Sequence, residues 1–334
     1  MEEKKKTARE IIEGYDGPPV RIMEVCGTHT HEIFRLGIRK LLPEQVELIS
    51  GPGCPVCVTQ VGFIDEAIYL ALERQVTICT FGDLVRVPGT NMSLAGAREK
   101  GAKIRIVYSP VDAKEYAKEH PKEQVTFLSV GFETTTPSAC LSVKKAREEG
   151  LTNYSILTAN KTMPQAYEAL KESADIVLYP GHVNAITGTK LCEELAKEGV
   201  SGVVAGFTAK ELLTALAVAL ARFQEGRPFF VNCYPRVVTE NGSPQAQKLV
   251  EEMMEPCDSE WRGLGVIKGS GMRLQEEWSA FDARKKYKIP PIQGKANPAC
   301  RCGDVLQGKC KPSDCKVFGK VCTPQHPIGA CMVS

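Results

Sequence analysis

Short runs rich in Val and Ile recur along the 334-residue chain, with longer amphipathic stretches between them. The runs at 21–25, 46–50, 76–80, 104–108, 125–130, 154–158, 176–178 and 203–205 read as strands. The stretches at 60–74, 93–100, 138–149, 165–172 and 210–223 carry apolar residues at helical spacing. A short helix over 4–15, closed by Gly14 and Gly17, comes before them. Strand alternating with helix predicts parallel βαβ units, so the fold class is α/β with sheets buried on both faces. Two halves of similar size meet near residue 150. The texture changes beyond Pro244: a helix over 245–254, the Gly-rich GLGVIKGSGMRL and a Pro-bearing linker suggest a third unit. GLGVIKGSG is no dinucleotide fingerprint, because no amphipathic helix opens at its third glycine.

Seven strand ends run into polar, Gly-rich turns: CGTHTH, GPGCPVC, FGDLVRVPGT, GFETTTP, TANKTMP, YPGHVNA and AGFTA. Ligands of open parallel sheets lie at the carboxyl ends of strands, so function is expected in these turns. Any one of them also serves simply as a turn or helix cap.

Composition narrows the classes. Lys and Arg total 42 against 40 acids, a balance that gives no reason to expect nucleic acid or an anionic membrane as partner. No apolar run reaches the ~18 residues of a membrane span. The charged start MEEKKKTARE has no apolar signal core, so a cytoplasmic location is expected. Of the 14 cysteines, six (Cys300, Cys302, Cys310, Cys315, Cys322 and Cys331) crowd into residues 300–334. That tail carries five basic residues and two acids, which suits a negatively charged thiolate–metal group as well as it suits a solvated tail.

Three constellations carry candidate chemistry. Cys26 and His29 stand in CGTHTH, where a strand runs into a helix; the helix terminus favours a thiolate, and thiolate with imidazole suits iron, zinc or copper. The plain alternative is a buried thiol with Thr30 capping the helix. Cys54 and Cys57 form a C-x-x-C in GPGCPVC, stiffened by Pro52 and Pro55. It reads as a redox dithiol, with half a zinc site as the rival. The tail spacings fit neither a bacterial ferredoxin run nor a two-pair zinc pattern. So short a Gly/Pro/Lys-rich segment still needs metal to fold, as a four-iron cluster or structural zinc. Cys79, Cys140, Cys192, Cys233 and Cys257 are expected as buried structural thiols. Glu133 and His182 stand just beyond strands as unranked polar groups.

MEVCGTHTHEIFRLGIRKLLP, GPGCPVCVT, GFETTTP, YPGHV and the tail CRCGDVL…CKVFGKVCTPQHPIGACMVS together resemble the HypD family of hydrogenase maturation proteins, from about Met23 to Ser334. The resemblance implies two stacked Rossmann-like parallel α/β domains plus a third domain with a cysteine-rich iron–sulfur segment. On this sequence these become residues 52–150, residues 151–243, and 1–51 with 244–334. It implies a metallocofactor-assembly scaffold with thiol–disulfide activity, and leaves open whether the chain is an enzyme. With the chaperone HypC, it would assemble the Fe(CN)2CO group of [NiFe]-hydrogenase, the cyanide arriving as a thiocyanate on HypE in a transient ternary complex. Cys26 would hold the nascent iron with HypC's N-terminal cysteine, beside His29. Cys54 and Cys57 would be a dithiol fed by a [4Fe–4S] cluster, as in ferredoxin-dependent thioredoxin reductase. The cluster ligands would be Cys300, Cys315, Cys322 and Cys331, with Cys302 as the alternative fourth. The resemblance also implies a further cysteine beyond GACMVS, where this sequence ends. Were that residue a ligand, Cys302 and Cys331 would instead be a second thiol pair. A stand-alone thiol–disulfide oxidoreductase and a zinc-stabilised binding module are the competing functions.

Overall fold

The computed structural model describes residues 6–333. Among them lie eleven strands: β1 (Val20–Glu24), β2 (Val46–Ser50), β3 (Thr77–Thr80), β4 (Ile104–Ile106), β5 (Val125–Gly131), β6 (Tyr154–Asn160), β7 (Ile176–Pro180), β8 (Ser201–Ala205), β9 (Phe230–Asn232), β10 (Met254–Trp261) and β11 (Gly265–Leu274). They form two wholly parallel sheets, ordered β2-β1-β7-β8-β9 and β4-β3-β5-β6, and an antiparallel hairpin, β10-β11. The α/β class expected from the strand–helix rhythm is the class observed.

The chain divides into two compact units. One comprises Met1–Cys54, Ala166–Pro244 and Leu306–Gly308; the other comprises Pro55–Gln165, Gln245–Val305 and Lys309–Ser334. The first unit holds the five-stranded sheet. Its core packs Ile22, Leu178 and Val203 against Leu212, Leu216 and Leu220 of the helix Ala209–Phe223. That helix opens with a Thr208–Glu211 capping box, which satisfies backbone donors that would otherwise lack partners. Each large apolar side chain buried here is worth about 1.5–3 kcal/mol.

The second unit holds the four-stranded sheet, the hairpin and most of the cysteine-rich tail. Every residue of β5 and β6 is buried, which explains their unbroken apolar runs. Tyr154 sits in this core with Cys79 and Cys140, its hydroxyl within 2.9 Å of Ser142 Oγ. Burial pushes both thiols up to about 12, as inert core sulfurs. Cys192 is buried too, whereas Cys233 and Cys257 are only half-buried.

Several expectations need correcting. Residues 1–51, assigned with the tail, instead supply β1 and β2 to the sheet that also contains β7, β8 and β9. A parallel partner is chosen by the sheet and not by nearness in sequence. The glycine-rich stretch after residue 260 is the turn and second strand of a hairpin. Residues along β10 alternate between sheltered and exposed, and Gly263 supplies the turn with φ of +80°. The strand expected over 104–108 ends at Ile106, and Tyr108 is 92% exposed. The first helix runs Ala8–Glu13 behind the N-cap Thr7; Lys4 and Lys5 lie outside the described residues. No helix among the described residues is long and apolar enough to cross a membrane.

Two carboxyls are buried at strand ends. Glu133, two residues past β5, accepts a 2.8 Å hydrogen bond from Met163 N through Oε1, while Oε2 has no partner among the described residues. Burial pushes its carboxyl up to about 7. The unfolded chain therefore loses this proton near its ordinary value and the folded chain keeps it until about 7, so stability falls as pH rises through that window. Glu133→Gln keeps the acceptor and removes the charge. The variant should lose less stability than the parent between pH 5 and pH 8, by about 2–3 kcal/mol, in urea unfolding measured at both pH values.

Candidate functional site

Adjacent strands β1 and β2 end level with one another, Glu24 pairing with Ser50, so their two following turns lie side by side in the first unit. Glu24 ties the ends together. Its buried carboxylate accepts from Thr30 Oγ1 and Ser50 Oγ, each at 2.6 Å, and Arg39 Nη2 lies 3.8 Å away. Burial pushes this carboxyl up to about 7 despite those three partners.

The turns touch backbone to backbone. Gly27 N donates to Gly53 O at 3.1 Å, and Gly51 N donates to Glu24 O at 2.8 Å. A Cβ on Gly53 would lie 1.9 Å from Cys26 N and 2.0 Å from Val25 C, so only glycine fits there. A Cβ on Gly27 would meet the Cβ of Cys54 at 3.5 Å. Cys26 and Cys54, 28 positions apart in sequence, are thus neighbours in space.

Cys26 is the N-cap of the helix Gly27–Arg35 and is 2% exposed. The helix terminus acts in the expected direction, through backbone donors of Thr28 and His29, but burial outweighs it and pushes the thiol up to about 11. The thiolate expected from the sequence is therefore a protonated thiol in the resting chain. Cys26 Sγ lies 3.7 Å from His182 Nε2, on the turn after β7. Burial lowers the pKa of His182 and leaves it neutral. Phe207 stacks on His182, ring centroids 5.0 Å apart, and meets His29 at a tilt, centroids 4.8 Å apart. His29 is fully buried, its Nε2–H donating to Gly206 O at 3.0 Å, and burial lowers its pKa to about 4. His29 is tied to Gly206 and Phe207, and His182, left unranked from sequence, is the imidazole at the sulfur.

In the second unit, Cys57 lies in the one-turn helix Pro55–Val58 and donates through Sγ to Ala330 O at 3.7 Å. The division between the units falls between Cys54 and Pro55, so the C-x-x-C has one sulfur in each. The tail folds back on itself beside Cys57. A Cβ on Gly329 would lie 2.4 Å from Cys302 Sγ and 2.5 Å from Cys300 Sγ. Cys302 Sγ stands 2.7 Å from Cys331 Sγ, within reach of a disulfide after small movement. The hydrogen bond that Cys300 donates to Cys302, together with burial, pushes the Cys300 thiol well above its ordinary value. Cys300 lowers the Cys302 thiol, yet Cys331 and burial carry it up to about 12. Cys322 Sγ accepts from Ile328 N at 3.3 Å, while Cys310 and Cys315 both act on the exposed Arg301.

A [4Fe–4S] cluster needs four sulfurs around one cage. Among the described residues no group of three or more Cys, His, Asp or Glu is arranged to hold a metal ion, and Cys302 faces Cys331 as a pair. Within the tail segment Cys302 lies against both Cys300 and Cys331, so three thiols stand together.

The sequence as a whole has known relatives. A family model described as "HypD: Hydrogenase formation hypA family" matches residues 2–334. The Hydrogenase maturation factor HypD of Rhizobium leguminosarum bv. viciae is 43% identical over 346 residues, covering 99% of this chain and 89% of that protein. The factor of the same name from Escherichia coli K12 is 42% identical, covering 95% and 86%, and that of Cupriavidus necator is 41% identical, covering 96% and 88%. The class of protein these matches define is the hydrogenase maturation factor. The chain belongs to the HypD family.

The approach of the two turns yields a direct test. Gly53→Ala should cost about 3 kcal/mol or more, because backbone and not a flexible side chain must move. Gly82→Ala, whose Cβ meets nothing nearer than 3.8 Å, should stay within about 1 kcal/mol. Urea unfolding of both variants measures the difference.

Proposed function

We propose that this chain is the scaffold, working with HypC, on which the iron of the [NiFe]-hydrogenase Fe(CN)2CO group is held while it gains its diatomic ligands. The observation that carries this reading is the sulfur–imidazole pair of Cys26 and His182, 3.7 Å apart beside Cys54. The nascent iron is cargo here. Thiolate and neutral imidazole bind ferrous iron while leaving positions open for cyanide, carbon monoxide and a second cysteine from the partner. A buried thiol that keeps its proton until metal arrives is suited to transient loading, since the ion displaces the proton and its loss restores the neutral state. His182, neutral by burial, has a lone pair for that proton or for the iron.

The cyanide is delivered as a thiocyanate on a HypE cysteine, and its release consumes two electrons. Cys54 and Cys57, three positions apart along the chain, supply them. Their two thiols form a disulfide, the sulfur–carbon bond of the thiocyanate breaks, one proton returns to the HypE thiol, and the other leaves with cyanide. The C-x-x-C spacing and the stiffening prolines support that role. A stand-alone thiol–disulfide oxidoreductase draws support from the Cys302–Cys331 approach but gives the Cys26–His182 pair nothing to do.

Protein purified anaerobically with HypC should show infrared bands of iron-bound cyanide and carbon monoxide. Cys26→Ala should abolish them while leaving association with HypC and the thermal melt unchanged. Cys54→Ala should retain iron but lose the cyanide bands. Persistence of all bands in Cys26→Ala would remove the anchor.

A further inference from the structure

Strands β7 and β8 run in register, Pro180 level with Ala205, so the turns that follow them advance side by side. The next residue of each is a glycine under one ring. A Cβ on Gly181 would lie 2.5 Å from Tyr234 Cδ1, and one on Gly206 would lie 2.7 Å from Tyr234 Cδ2. One step further come His182 and Phe207, whose rings stack with centroids 5.0 Å apart and planes 12° apart. Tyr234 meets Phe207 edge-on, at 89° and 6.3 Å between centroids. The stack is thus strand register carried two residues beyond the sheet.

Its two rings are not held alike. Both polar groups of the Gly206–Phe207 peptide are tied down. Phe207 N donates to Glu211 Oε2 at 3.0 Å, and Glu211 Oε1 accepts from Arg236 Nε at 2.8 Å. Gly206 O accepts from His29 Nε2 at 3.0 Å, and the His29 ring meets Phe207 at 4.8 Å. His182 makes one hydrogen-bonding contact among the described residues, Nε2 to Cys26 Sγ at 3.7 Å. An imidazole that binds metal is ordinarily aimed by an acceptor at its other ring nitrogen. No such acceptor stands at His182 among the described residues, and the face of Phe207 is the contact that fixes its plane.

We propose that Phe207 is the positioning residue of His182, its ring face setting the imidazole plane so that Nε2 is aimed at the Cys26 sulfur. This rests on the reading that His182 ligates the nascent iron. Stacking restrains the plane without occupying either ring nitrogen, so both stay available for a proton and a metal. His29 gains a part in the same arrangement, because it holds the peptide that carries Phe207. Phe207 acts through His182.

The test uses the full chain with isotope-labelled histidine, prepared anaerobically, before and after ferrous ion alone is added. Two-bond proton–nitrogen spectra separate the ring signals of the five histidines, and His182→Gln assigns those of His182. Without metal, the His182 signals should be single and sharp in the parent and in Phe207→Tyr, which keeps the ring face. They should broaden or double in Phe207→Ala and in Phe207→Leu, which fills the space without a flat face. Ferrous affinity at the site is the part of the binding that Cys26→Ala removes. It should fall about tenfold in Phe207→Ala and Phe207→Leu and stay within about threefold in Phe207→Tyr. Thermal melts accompany each variant; if Phe207→Ala does not fold, Phe207→Leu and Phe207→Tyr decide. Phe207→Leu behaving as the parent, or Phe207→Tyr as weak as Phe207→Leu, would overturn the proposal. Iron lost in His182→Gln but kept in Phe207→Ala sinks the Phe207 assignment alone. Iron binding unchanged in His182→Gln sinks the ligand reading on which it rests.

Discussion

The site depends on a contact between two stretches of main chain. Gly53 lies so close to Val25 and Cys26 that any side chain would overlap their backbone atoms. That approach permits the hydrogen bond from Gly27 N to Gly53 O and brings Cys54 up against the Cys26 turn. The β1–β2 register sets the two turns level, and Glu24, bonded to Thr30 and Ser50, holds them there. A thiol 28 residues further along the chain becomes a neighbour of Cys26 because of one missing methyl group.

Burial then decides the chemistry. At Cys26 the helix terminus and the low-dielectric surroundings compete, and the surroundings win, leaving the thiol at about 11. The same physics keeps His182 neutral and lowers His29 to about 4. The pocket rests as a neutral thiol beside neutral imidazoles. Only an arriving cation makes thiolate favourable there, which suits the proposed scaffold role of taking up iron and giving it away. A permanently ionised sulfur would hold its cargo more tightly and hand it on less readily.

Most of the α/β architecture was legible because parallel strands covered on both faces read as continuous apolar runs, as β5 and β6 do. The hairpin was not, because glycines at 263, 265, 269 and 271 disguise β11 as loop. Membership of β1 and β2 in the sheet of β7 was hidden for a different reason: pairing across 150 residues leaves no local trace. At the site, the cysteines were visible by type and spacing. His182 was visible only as a polar residue after a strand, since its nearness to Cys26 is made by the order β1-β7 within the sheet. The Cys302–Cys331 approach needs Gly329 to pack against the sulfurs of Cys300 and Cys302, which spacing along the chain does not encode.

The central claim is that iron sits on the Cys26 sulfur with the His182 nitrogen beside it. Iron K-edge X-ray absorption of the ferrous-loaded chain measures this directly. The account predicts mixed sulfur and nitrogen scattering in the first coordination shell, with the sulfur contribution lost in Cys26→Ala and the imidazole outer-shell pattern lost in His182→Ala. A first shell of oxygen and nitrogen alone, unchanged by either substitution, would contradict it.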